Sequence, residues 1–160
     1  MNLSRNEAIV FASFLKLLHL SSVEKRAILE ELDNDSIKMM GENVALRKYL
    51  ENEFSYYTNN YIQLFLNEIL NSFIEINDID IQLSPCPCCG YNTIKQIGHY
   101  NICPVCYWED DGGRDENAFS SANSMTLKEA KFNFQNLGVM SERFLEIVEK
   151  DRMLKYKRLL

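Results

Sequence analysis

The sequence predicts an α+β protein, mainly α, in which a helical bundle, a small metal ribbon and further helices follow one another. Three observations carry this. Apolar residues recur at helical spacing over most of the chain, Gly and Pro are scarce, and all cysteines fall in one short segment. The chain has 160 residues, six Gly and three Pro, too few turn formers for a turn-rich all-β fold. Hydrophobic residues make up 46%, with nine Phe, eight Tyr and one Trp, so a substantial core is available.

Residues 1–76 read as a helical domain. Ser4 and Glu7 have the spacing of a capping box, and Ile9, Val10, Phe11, Phe14, Leu15, Leu17 and Leu18 follow. That set is wider than one amphipathic stripe and predicts a well-buried first helix. Ser21 and Glu24 repeat the cap ahead of Ala27, Ile28 and Leu32. Gly41 breaks the next stretch. Val44, Leu46, Tyr49, Leu50 and Phe54 predict a third helix, and Tyr61, Leu64, Phe65, Ile69 and Leu70 a fourth. His19 reads as a satisfied core or boundary residue of the first helix.

Residues 77–125 read as a zinc ribbon. Ile76–Leu83 alternates apolar and polar imperfectly and reads as an extended connector, either pairing with the ribbon or solvated by its acids. Cys86 and Cys89 form one C-x-x-C pair, followed by Gly90. Cys103 and Cys106 form a second. Two cysteines three apart on a tight turn aim both sulfurs at one point, and a glycine lets the backbone fold back without strain. Two such turns supply four thiolates in a tetrahedron, the closed shell of structural zinc. Iron fits the same sulfurs, and zinc is the commoner occupant. Residues 93–100 read as a hairpin bringing the turns together, with His99 on its surface. Cys86-Pro87-Cys88-Cys89 also contains C-P-x-C, but no βαβ pattern surrounds it, which disfavours a redox role. Cys88 lies between two ligands and reads as a packed thiol, with a reactive or alternative ligand as the competing view.

Residues 126–160 read as C-terminal helices packed with the preceding blocks. Thr126 and Glu129 make another capping box, with Leu127, Ala130, Phe134 and Leu137 on one face and Gly138 as the stop. Ser141 predicts the start of a last helix through Phe144, Leu145, Ile147 and Val148, with Lys150 to Leu160 as its basic end.

The formal net charge is −6, which opposes a phosphate backbone and favours a basic protein partner. The start of the sequence lacks the features of a secretory signal, and no apolar run reaches membrane-spanning length. With clustered cysteines, this predicts a cytoplasmic protein. No nucleotide loop, zinc-hydrolase motif or nucleophile–base pair is visible, and a four-thiolate zinc has no open position for water, so the expectation is a non-enzyme. Asp110, Asp111 and Asp115 beside Gly112-Gly113 do not match a calcium loop. Tyr107, Trp108, Glu109, Asp110, Asp111, Asp115 and Glu116 are the candidate partner-binding patch, acids beside aromatics. The alternative, which is favoured for the patch by itself, packs Trp108 on the knuckle and leaves the acids solvated.

Cys86-Pro87-Cys88-Cys89-Gly90-Tyr91 and residues 102–112, from Ile102-Cys103-Pro104-Val105-Cys106 to Gly112, resemble the bacterial CPCC cysteine-rich family. Asn123, Leu127, Glu129-Ala130, Asn133-Phe134 and Gly138 extend the resemblance downstream. It implies a short zinc-binding module. Such proteins are in turn similar to small acidic proteins encoded beside bacterial toxins, which implies an immunity protein binding a cationic toxin domain. The alternative is a nucleic-acid-binding zinc-ribbon regulator, with Lys150, Arg152, Lys155, Lys157 and Arg158 as its basic cluster. The sequence assigns no oligomeric state.

Overall fold

Short β1 (Asn2–Leu3) leads into α1 (Arg5–His19). The computed structural model describes residues 1–158, apart from the side chains of Asn34 and Ser36. These residues divide into two compact units, Met1–Ile81 and Gln82–Leu160.

In the first unit the capping boxes form as the residue types require. The Ser4 hydroxyl accepts from the Glu7 N–H while the Glu7 carboxylate accepts from the Ser4 N–H, and Ser21 and Glu24 do the same for α2 (Ser22–Glu31). Then come α3 (Asn34–Met40), α4 (Glu42–Ser55) and α5 (Asn59–Leu70). The bundle therefore has one helix more than the sequence predicts. The extra one, α3, is short and stands before Gly41, whose φ of 82° turns the chain into α4. The helix α1 packs on α4 and α5, burying Ala8, Ala12 and Leu15 with Leu46, Phe54, Ile62 and Leu66. Its outer side stays in solvent. Val10, Phe14 and Leu18 are exposed, so the buried stripe is narrower than expected. His19 is also exposed, with Nδ1 2.7 Å from the Leu15 carbonyl oxygen.

The end of this unit departs from the predicted connector. Strand β2 (Glu75–Ile76) runs parallel to β1, and the terminal ammonium donates to the Phe73 carbonyl at 2.8 Å. Asp78 accepts from the Arg5 N–H at 2.6 Å, and Asp80 from the Asn59 N–H at 2.9 Å. Both donors are first-turn N–H groups, one of α1 and one of α5, which no intrahelical carbonyl can satisfy. The Arg5 guanidinium donates to the carbonyls of Ser55 and Tyr57 at 2.9 and 2.8 Å. Residues 77–81 thus close the helical unit, and their acids cap helices.

The second unit is built from two-stranded pieces. Strand β3 (Ser84–Pro85) pairs with β4 (Asn92–Ile94), β5 (Asn101–Ile102) with β6 (Glu109–Asp110), and β7 (Phe119–Ser120) with β8 (Met125–Thr126), all antiparallel. Each C-x-x-C turn closes its own hairpin. Residues 93–100 run from β4 to β5 and do not form the hairpin expected of them, because both strands already pair across a knuckle. Ladders this short are marginal by themselves, so packing around them must hold them.

Thr126 caps α6 (Leu127–Leu137), and Gly138, at φ 75°, ends it. Leu127, Ala130 and Phe134 share a core with Ile94, Val105, Trp108, Met140 and the cysteines. The predicted last helix does not form as one piece. Ser141 makes no side-chain cap, and the chain passes through a 3-10 turn (Glu142–Phe144) to one helical turn, α7 (Arg152–Lys155). Arg158 then bridges Tyr91 in antiparallel register. Tertiary bonds outweigh helix propensity here. Phe144 stacks on Tyr107 at 4.7 Å, and Arg152 donates to the carbonyls of Val105 and Gly138. Positions 159 and 160 of the predicted basic end lie outside the described residues.

Candidate metal centre

The two knuckles repeat one backbone plan. In the first, the Gly90 N–H donates to the Cys86 carbonyl at 2.9 Å, and the Cys86 N–H donates to the Tyr91 carbonyl at 2.8 Å. In the second, the Tyr107 N–H donates to the Cys103 carbonyl and the Cys103 N–H to the Trp108 carbonyl, both at 2.8 Å. The residue four after the first cysteine has positive φ in each, 77° at Gly90 and 67° at Tyr107. Glycine adopts this freely, whereas a tyrosine there costs about 1 kcal/mol. The Tyr107 ring on Phe144 offsets part of that cost.

These turns converge four sulfurs. Cys86, Cys89, Cys103 and Cys106 are 2%, 2%, 0% and 0% exposed, and their Sγ atoms lie within 4.8 Å of one another. The Cys86–Cys106 and Cys89–Cys103 separations are both 3.6 Å. A disulfide needs about 2.05 Å. A tetrahedron with metal–sulfur bonds of about 2.3 Å has edges of about 3.8 Å. The donor set therefore fits a metal ion, and among the described residues this is the group that offers such a site. Burial works against a thiolate at Cys103, but hydrogen bonds from the thiols of Cys106, Cys86 and Cys89 and from the Thr93 hydroxyl at 3.1 Å bring its pKa well below the ordinary range. Burial pushes the Cys106 thiol up, and hydrogen bonding to Cys103 pushes Cys89 up. A cation would stabilise all four as thiolates.

Cys88 is 6% exposed and packs in the surrounding core, outside the group of four. His99 is exposed. The structure does not gather the candidate partner patch into one exposed surface. Trp108 is 1% exposed and packs on the knuckles, and Asp110 is 0% exposed, paired with Arg114 at 2.7 Å and accepting from the Gly98 N–H at 3.0 Å. Tyr107 is half-buried. Asp111 accepts from Ser120 at 2.6 Å, Asp115 from the Asn117 N–H at 3.0 Å, and Glu116 pairs with Lys131. The Glu109 N–H and C=O are both bound by the side chain of buried Asn123 at 2.8 Å. The sequence reading gave neither Thr93 nor Asn123 a role at the centre. A hydroxyl beside the first knuckle and an amide ahead of a capping box were the available signals.

Two hairpin knuckles bearing four buried cysteines, packed on one capped helix, define a ribbon module whose sulfurs could hold a metal ion. Residues 84–153 match the family model described as Cysteine-rich CPCC. The match takes in both knuckles and α6 and leaves the helical unit outside it. No curated protein and no solved structure gives a match. No described helix is long and apolar enough to cross a membrane.

Proposed function

We propose that the protein is a cytoplasmic, zinc-stabilised binding protein that acts by covering a protein partner, and that its best-fitting role is immunity against a toxin with a cationic surface. The observation that carries this is the closed centre. Four buried cysteine sulfurs within 4.8 Å of one another would complete the shell of a tetrahedral ion and leave no position for substrate or water, which supports a metal that serves folding and a surface that serves function. Zinc is the commonest occupant of such a sulfur tetrahedron. The net charge of −6 selects a basic partner.

The regulator reading loses support from the placement of its basic residues. Arg152 is committed to three carbonyls, those of Val105, Gly138 and Glu149. Lys155 is buried between Glu149 and Asp151, and Arg158 donates to the Cys89 carbonyl. The basic cluster therefore holds the second unit together and offers few charges to phosphates.

The test is metal analysis of the purified protein, followed by a pull-down from the native host and reconstitution with whatever is retained. One zinc per chain and one stoichiometric protein that rebinds when purified support the reading. Retention of nucleic acid, or of nothing, overturns the immunity role.

A further inference from the structure

The two units differ in charge as sharply as in architecture. Residues 1–81 carry thirteen Asp and Glu against seven Lys and Arg, whereas ten oppose ten in residues 82–160, so the whole net charge of −6 lies in the helical unit. The same unit leaves a line of apolar side chains uncovered. Val10, Phe14 and Leu18, spaced by four, are 46%, 48% and 62% exposed, on the side of α1 away from buried Ala8, Ala12 and Leu15. Val10 and Phe14, with Asn6, Glu7, Phe11 and Arg47, line a groove of roughly 480 Å³. Single exposed apolar residues are ordinary, but a helical row opening into a groove marks an interaction surface.

We infer that this face of α1 is a docking groove for a cationic amphipathic helix of a partner protein. The occupant follows from shape and charge. Apolar side chains spaced by four along α1 match the apolar seam of a second helix lying beside it. Glu7 stands in the groove as a carboxylate, its pKa held low by hydrogen bonds from the Ser4 side chain and backbone. Arg47, the groove's cation, is neutralised by Glu51 at 2.9 Å. A helix carrying Lys or Arg beside its apolar seam thus meets a unit of net negative charge, and the cation lining the groove is already paired. A second copy of this chain would bring another unit of net charge −6 to the same face, which opposes self-pairing. The inference rests on the protein-binding reading and assigns that reading its surface.

The probe is a synthetic helix with leucines at i, i+3, i+4 and i+7 and lysines elsewhere, titrated into the full, metal-loaded chain. Its counterpart carries glutamates in place of the lysines. The lysine helix is expected to bind, to perturb backbone NMR signals of α1 and of Arg47, and to weaken as salt rises, and the glutamate helix is expected not to bind. The double variant Val10→Ser, Phe14→Ser replaces exposed side chains, so its thermal melt should stay close to that of the parent while affinity falls about tenfold or more. Binding unchanged in that variant, or signals perturbed only within residues 82–158, overturns the groove. So does concentration-dependent self-association in sedimentation that the variant abolishes, since the occupant is then a second copy. A reconstituted host partner that ignores the double variant removes this surface and leaves the binding function standing, whereas failure to capture any partner removes the function itself.

Discussion

Asp110 shows how much one buried carboxylate can hold. Its two oxygens accept from Arg114 and from the Gly98 N–H, and its own carbonyl accepts from the Tyr100 N–H at 2.9 Å. The loops it joins approach so closely that a Cβ on Gly112 would lie 3.2 Å from the Gly98 Cα. Burial by itself raises the Asp110 pKa. The hydrogen bond and charge of Arg114, with the N–H groups of Gly98 and Gly112, outweigh burial and leave it below the usual value. A carboxylate whose folded pKa is depressed stabilises the fold fully above its unfolded value of about 3.9, and that contribution is lost as pH falls through the folded value. Asp110→Ala should therefore cost about 1–3 kcal/mol near neutral pH, as expected for a buried charged hydrogen-bond acceptor. The gap between mutant and parent should close in acid, and urea melts across the pH range check both. In the sequence, Asp110 is one acid in a dense acidic run, and density suggests solvent. The contrary signals were local. Trp108 and Asp110 stand two apart, the spacing that puts side chains on one face of an extended segment, and Arg114 lies four residues on.

At the scale of elements, the legible parts were those whose chemistry is local. Three capping boxes, the stop at Gly138 and two C-x-x-C-type turns each act within a few residues, and each formed as its residues predict. The last helix failed because its fate is decided by distant groups. Residues 141–158 carry helical apolar spacing, yet Arg152 reaches three carbonyls on separate segments, and the Lys157 carbonyl accepts from the Asn92 N–H at 2.8 Å. No periodicity encodes carbonyls left bare by a knuckle and by the end of α6. Arg152→Ala should lower the stability of the metal-loaded protein by about 2 kcal/mol, since charged donors to buried carbonyls contribute about 1.5–3 kcal/mol each and solvent recovers part of that here. Arg152→Lys should rescue little, because one ammonium cannot span the geometry of a planar fork. Guanidinium melts of the two variants give the comparison, and full rescue by lysine would mean that charge alone is what the strap requires.

For the molecule as a whole, the two units are held by different physics. The helical unit has an apolar core of its own, with Leu46, Ile62 and Leu66 at 2% exposure or less, and its strand pairing and Arg5 bonds are internal to residues 1–81. The second unit has two- and three-residue strands, and four of its core residues are the cysteines of the candidate metal centre. Without a cation those four sulfurs must share protons in a dry site, a poor substitute for four metal–thiolate bonds. This division was only partly visible in the sequence. The cysteine spacing shows where a metal could be held, but not that α6 and the ribbon would share one core, because that depends on Trp108, Leu127 and Phe134 meeting in space. Removing the metal with a strong chelator, or mutating Cys103→Ala, should therefore abolish dispersed NMR signals from residues 82–158 while those of residues 1–81 persist with their helical circular dichroism. Because thiols must lose protons to bind, the chelator should extract the ion more readily as pH falls from neutral toward 5. Metal-free protein that kept every signal and its full melting temperature would show that the apolar core alone holds the ribbon, and that the thiolate cluster is a site without a structural role.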